Sequence, residues 1–127
     1  MDLSTEAAVL QANQSFYRAF AEKDIEAMTE IWSKGSSVRC IHPGRTSTLR
    51  GWPAVRQSWE QIFRNTDDIK IDLEDVMLEV YENIALVTLV ENIQQSVEGR
   101  SGRFRTSATN IFEQLAGRWY LIHHHGG

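Results

Sequence analysis

Three of the four histidines of this chain fall in one run, Arg118-Trp119-Tyr120-Leu121-Ile122-His123-His124-His125. Imidazole is the side chain whose charge moves most easily across neutral pH. Histidines on an inward strand face therefore put proton donors and acceptors inside apolar surroundings. Alternate side chains of an extended chain go to opposite faces. His123 and His125 then share a face with Trp119 and Leu121, and His124 goes to the other side with Tyr120 and Ile122. A hairpin turn at Ala116-Gly117 sets Asn110 opposite His123, and a four-residue loop keeps the same parity. A three-residue loop would break it. On this reading His123 is a candidate general acid/base, and Asn110 and His125 are candidate donors to a substrate carbonyl or hydroxyl. The alternatives are groups that satisfy one another in a filled core, a purification-tag remnant, or a frayed terminus.

Glu91 ends the apolar run Ala85-Leu86-Val87-Thr88-Leu89-Val90. Burial there would raise its pKa toward neutrality and make it a second candidate acid/base; at a strand rim it would be solvated instead. His42 shares an alternating face with Val38 and Cys40, which points it toward a pocket. Trp52, Trp59 and Trp119 read first as core, with one or two lining an apolar wall for an aromatic ligand. Cys40 reads as a core filler, and Arg45, Arg50 and Arg56 read as solvated. No ligand spacing supports a metal site, and none is expected.

The elements that must position these groups follow from pattern. The chain has 127 residues, 42% hydrophobic and 24% charged, with a net charge of -4. That suits one domain over residues 1–127 with a real core. No basic stripe is long enough to track phosphates, so nucleic acid and anionic membrane are not expected partners. No apolar run is long enough to span a bilayer, and the first residues lack a signal-peptide pattern. A single cysteine, Cys40, excludes an internal disulfide and is compatible with a reducing cytoplasm, the expected location.

Ser4 can cap a first helix that ends near Glu22-Lys23, with Ala8, Val9, Leu10, Phe16, Tyr17 and Phe20 as its apolar positions. Asp24 caps a second, ended by Gly35, in which Ile25, Met28, Ile31 and Trp32 share a face. Val38–His42 is a short strand, Pro43-Gly44 a turn, and Arg45–Arg50 a loop or weak hairpin arm. Gly51-Trp52-Pro53 opens a third helix, with Val55, Trp59, Ile62 and Phe63 as one stripe. From Ile69 the period becomes two, with a break near Asp75 that suits a bulge. Turns at Glu82-Asn83, Glu98–Gly102 and Ala116-Gly117 then separate four strands joined by hairpins. Such an order predicts an α+β fold. Its curved antiparallel sheet forms a cone, and three helices from the N-terminal half enclose a pocket. The outer sheet face, with Ile111, Tyr120 and Ile122, needs covering, which predicts a homodimer through the sheet.

Several segments together resemble the nuclear transport factor 2-like superfamily, and within it the SnoaL-like group. They are Phe20-Ala21-Glu22-Lys23-Asp24-Ile25-Glu26-Ala27-Met28 with Trp32; Cys40-Ile41-His42-Pro43-Gly44 with Gly51-Trp52-Pro53-Ala54-Val55 and Ser58-Trp59; and Ala108-Thr109-Asn110-Ile111-Phe112 with Gly117-Arg118-Trp119 and the histidine run. The resemblance implies a cone-shaped α+β barrel, usually dimeric, with no cofactor. It implies no single activity, because ketosteroid isomerase-like and polyketide cyclase-like enzymes share the fold with non-catalytic modules. The acid and tyrosine-plus-acid trio of the isomerases has no match here. Two functions stay open. One is a cofactor-independent isomerase, cyclase, dehydratase or hydrolase acting on a small, largely apolar or aromatic molecule. The other is a non-catalytic ligand-binding or dimerisation module.

Overall fold

Burying one stripe of each helix against one face of a long sheet dictates the architecture. The computed structural model describes residues 3–127. Helix α1 (Leu3–Glu22) and the short α2 (Ile25–Ile31) precede strands β1 (Arg39–Ile41) and β2 (Leu49–Arg50). Helix α3 (Trp52–Asn65) follows, then β3 (Asp68–Tyr81), β4 (Ile84–Val97), β5 (Arg100–Leu115) and β6 (Arg118–Gly126). The sheet has six strands in the order β2-β1-β6-β5-β4-β3. It is curved and unclosed, and the three helices pack on its hollow side, which makes the α+β cone that the sequence pattern predicts.

Helix α1 begins at Leu3, so Ser4 lies within its first turn and not ahead of it. Its buried stripe is Val9, Asn13, Phe16, Tyr17 and Phe20, while Ala8 is exposed. The Asp24 side chain caps α2 by accepting from the Ala27 N–H at 3.0 Å. That helix stops at Ile31, ahead of Gly35, because Trp32 is already extended and bridges Leu121 of β6. Helix α3 opens on Gly51, whose φ of 81° is open to glycine alone without strain, with Pro53 in the first turn.

Two details of the sheet decide where the chemistry goes. On β3 the pairing shifts between Glu74 and Met77, and Asp75 at φ 53° is the bulge expected there. The turn after β4 is tighter than expected, since Glu98 and Gly99 alone connect Val97 to Arg100. Ala116 and Gly117 likewise form a two-residue turn, both at positive φ. Phe112 pairs with Leu121 as that turn dictates, but Ile111 pairs with His123, so Ile122 is an extra residue. This second bulge reverses the parity of everything beyond it. Asn110 therefore lies opposite His124, not His123.

One pairing differs in kind from the expected antiparallel sheet. Strand β1 runs parallel to β6, with Cys40 beside His124 and Ile41 beside His125. The sheet is thus mixed, and β1 leads directly into His42.

Candidate functional site: a cavity in front of a buried polar network

The hollow of the cone holds a cavity of about 720 Å³. Its walls come from the end of α1, the turn after β1, one side of α3 and the far ends of β4 and β5. Phe20, Leu49, Ile62, Val97 and Phe104 supply the apolar surface; His42, Arg45, Ser58, Gln61, Asn65 and Gln95 supply polar groups. Apolar and polar side chains thus share the wall.

His42 is fixed from two sides. Its Nε2 lies 2.9 Å from Ser58 Oγ, and that hydroxyl donates its only proton to the Val55 carbonyl at 2.7 Å. With that proton on Val55, Ser58 accepts from His42, which places the proton on Nε2 and a lone pair on Nδ1; the Cys40 thiol lies 3.7 Å from the same Nε2. The ring stands edge-on to Trp59 at 4.9 Å between centroids. Burial, helped by the positive charge of Arg45, pulls the His42 pKa down to about 4. The imidazole is neutral at physiological pH.

Behind this wall lies a second group of polar residues, none of which lines the cavity. Tyr17 donates to Glu91 Oε2 at 2.6 Å. The Asn110 amide donates to Asn13 Oδ1 at 2.9 Å and to the Tyr17 oxygen at 3.1 Å. With both amide protons used, Asn110 Oδ1 accepts from His124 Nδ1 at 2.6 Å. That bond sets the His124 tautomer and leaves the lone pair on Nε2, 4.0 Å from Glu91 Oε2. Asn13, Glu91, Asn110 and His124 are all buried.

The electrostatics follow from that burial. Loss of water raises the Glu91 carboxyl to about 7, against the opposing pull of the Tyr17 hydrogen bond. Burial and the neighbouring Glu91 push the Tyr17 phenol up, out of reach of neutral pH. Burial, then the charges of the other histidines, lowers His124 to about 3. The network at neutral pH is thus a neutral imidazole, a neutral phenol, two amides and a carboxyl near its midpoint. One atom is left over: Glu91 Oε1 is buried and has no hydrogen-bond partner.

The residues singled out from the sequence separate into three places. His42 lines the cavity and Trp59 backs it. Glu91 and Asn110 lie in the inner network, so Glu91 is not a solvated rim residue. His123 and His125 do not share the inward face. The bulge at Ile122 turns both to the outer side of the sheet, where His123 is half-buried and His125 exposed, and puts His124 inside. Trp119 and Trp52 are buried away from the cavity; Trp52 packs on Trp32 at 6.2 Å, with the Lys34 ammonium over its ring at 5.8 Å. Arg45, expected to be solvated, is exposed but forms part of the cavity lining. Asn13, Tyr17, Ser58 and His124 are the members the sequence reading passed over. An asparagine one turn from Val9, Phe16 and Tyr17 on a buried helix stripe was the available signal for Asn13. Among the described residues no three His, Cys, Asp or Glu side chains are placed to hold a metal ion. No helix among them is long and apolar enough to cross a membrane.

The chain belongs to the SnoaL-like domain family, whose profile matches residues 9–126. Among curated proteins it is 29% identical over 122 residues to the F-box protein SKIP8 of Arabidopsis thaliana, covering 96% of this chain and 50% of that protein. The chain thus spans about half the length of that relative. A solved structure of a candidate dehydratase of the NTF2-like family from Streptomyces avermitilis superposes with a TM-score of 0.90 at 31% identity, covering 98% of this chain and 97% of the other. The CaMKII hub of S. rosetta superposes at 0.75 with 22% identity over 95% and 94% of the two chains, a likeness of fold.

Proposed function

We propose that this SnoaL-like domain binds a small, largely apolar or aromatic molecule in the cavity between α3 and the ends of β4 and β5. The supporting observation is the neutral His42 at the inner wall, with its proton committed to Ser58 and its Nδ1 lone pair free to accept from a ligand hydroxyl. Apolar faces of Phe20, Ile62 and Phe104 supply the bulk of the binding energy, and His42 sets the orientation.

An aromatic alcohol such as 2-naphthol is the matching probe. Binding next to the His42–Trp59 pair should change tryptophan emission, with a Kd on the order of 100 µM for a molecule of that size. His42→Ala should weaken it about fivefold, the worth of one hydrogen bond. His123→Ala, on the outer sheet face, should leave it unaltered. Binding that is indifferent to His42 and sensitive to His123 would refute the assignment.

A second reading, acid–base catalysis without a cofactor, is favoured by Glu91. Its midpoint of about 7 lets it give or take a proton at neutral pH, and Oε1 is unpaired. A β-carbon added at Gly126 would lie 3.3 Å from that oxygen and 3.2 Å from Pro43 Cγ, and Pro43 lines the cavity. The carboxyl thus sits one side chain behind the ligand space, where a shift of the Pro43–Gly44 turn would admit a substrate hydroxyl or acidic C–H. An isomerase, cyclase or dehydratase reaction on the bound molecule fits such a group. A non-catalytic role fits the other polar side chains of the inner network, which already pair with one another.

The outer sheet face supports self-association. Met77 is 67% and Tyr81 61% exposed, on the same face as Ile84, Ile111 and Tyr120. Burying such a patch against its own copy is the economical solution. Sedimentation at micromolar concentration should give twice the 14.5 kDa chain mass, and Met77→Asp should return the monomer. A wild-type protein that stays monomeric would disprove the association.

A further inference from the structure

The cavity carries a sign of charge that the chain as a whole does not. The protein has 17 acidic residues against 13 basic ones. Yet among the described residues that line the cavity none is acidic, and Arg45 alone is charged. Arg45 forms none of the ion pairs found among those residues, whereas Arg56, Arg105 and Arg118 each meet a glutamate. Its backbone is held by the turn after β1, where its N–H donates to the His42 carbonyl at 3.1 Å. Lys23, just after α1, is engaged with the Thr66 and Asp67 carbonyls at 2.8 and 2.7 Å, and Thr66 is itself at the cavity wall.

We infer that the ligand of this cavity is an apolar carboxylic acid, whose carboxylate pairs with Arg45 at the mouth while its hydrocarbon body lies on Phe20, Ile62 and Phe104. A single guanidinium presents two parallel N–H donors that match one carboxylate and neutralise one charge. A phosphate dianion would leave a charge uncompensated against apolar walls. Absence of any lining carboxylate removes the repulsion that would reject an acid, and the neutral His42 is left to meet a second polar group of the ligand. The inference rests on the cavity being a small-molecule site and adds the class of molecule.

A matched pair of probes tests it: 2-naphthoate and its neutral isostere 2-naphthamide, titrated against tryptophan emission. The wild-type protein should bind naphthoate about fivefold more tightly, the upper end for an exposed ion pair. Arg45→Gln, an exposed substitution that leaves the fold intact, should bring the two to equal affinity by weakening only the acid. Naphthoate should also raise the His42 imidazole midpoint, followed by NMR, above its value with the amide bound, because it offsets the Arg45 charge that adds to burial in depressing it. Equal affinities in the wild type, or a preference that survives Arg45→Gln, overturn the inference and leave the cavity as a site for neutral molecules. Binding of neither probe overturns both.

Discussion

Asn110→Leu should destabilise the protein by about 4 kcal/mol, read as a lower urea midpoint with an unchanged slope. Leucine keeps the branched skeleton and is the larger side chain, so no cavity is left and any packing cost comes from crowding. What is lost is the centre of the inner network. Asn13 Oδ1 and the His124 Nδ1 proton, now bonded at 2.9 and 2.6 Å, would be left buried without partners. Each stranded group costs about 1–3 kcal/mol, because no water reaches it. The Tyr17 oxygen loses a donor as well. Thr109→Ala, one residue away on the outer face, should change stability by less than about 1 kcal/mol. A small effect at Asn110 would mean that the five side chains of the network are not one connected unit.

Glu91→Gln should change how stability depends on pH, and the sign follows from proton counting. The carboxyl titrates at about 7 in the fold and near its ordinary 4.5 in the unfolded chain. Between those values the folded state holds the extra proton, so stability falls as pH rises and levels off above about 7. The 2.5-unit gap corresponds to about 3 kcal/mol of penalty at pH 8 that is absent at pH 4. His42 and His124, depressed to about 4 and 3, act in the opposite sense: their neutral folded forms lose stability as pH drops below about 6.5. The two histidines outweigh the one carboxyl, so the wild type should gain stability from pH 4 to about 6.5 and level off above it. Glu91→Gln, freed of the opposing carboxyl, should show a steeper acid-side fall and be shifted relative to the wild type by about 3 kcal/mol between pH 4 and pH 8. Chemical denaturation of both proteins from pH 4 to 8 measures the difference. A difference that stays flat across that range would place the Glu91 midpoint near 4.5 and withdraw it as an acid/base group at neutral pH.

The fold was largely legible in the sequence because its signals are local. Period-two alternation from Ile69, the Ala116-Gly117 turn and the Gly51-Trp52-Pro53 helix start each follow from a few adjacent residues. The parallel pairing of β1 with β6 was not legible, since three residues of strand find a partner about eighty positions away. The site was half legible. Glu91 continues the inward parity of Ala85, Val87 and Leu89, and Asn110 that of Ala108 and Phe112. Strict alternation sends His124 to the outer face, and the one extra residue, Ile122, inverts the strand beyond it and turns His124 inward. Nothing in Leu121-Ile122-His123 announces a bulge, since no glycine marks it. The bulge follows from tertiary demand: it turns one imidazole onto Asn110 and leaves His123 and His125 outside.

Everything functional here depends on the hollow of the cone being the place where a ligand sits. Backbone amide NMR of the labelled protein during a 2-naphthol titration tests that directly. Shifts should concentrate at Phe20, His42, Arg45, Ile62 and Phe104, with His123 and Met77 unmoved. Shifts confined to the outer sheet face around Met77, Tyr81 and Tyr120 would contradict it.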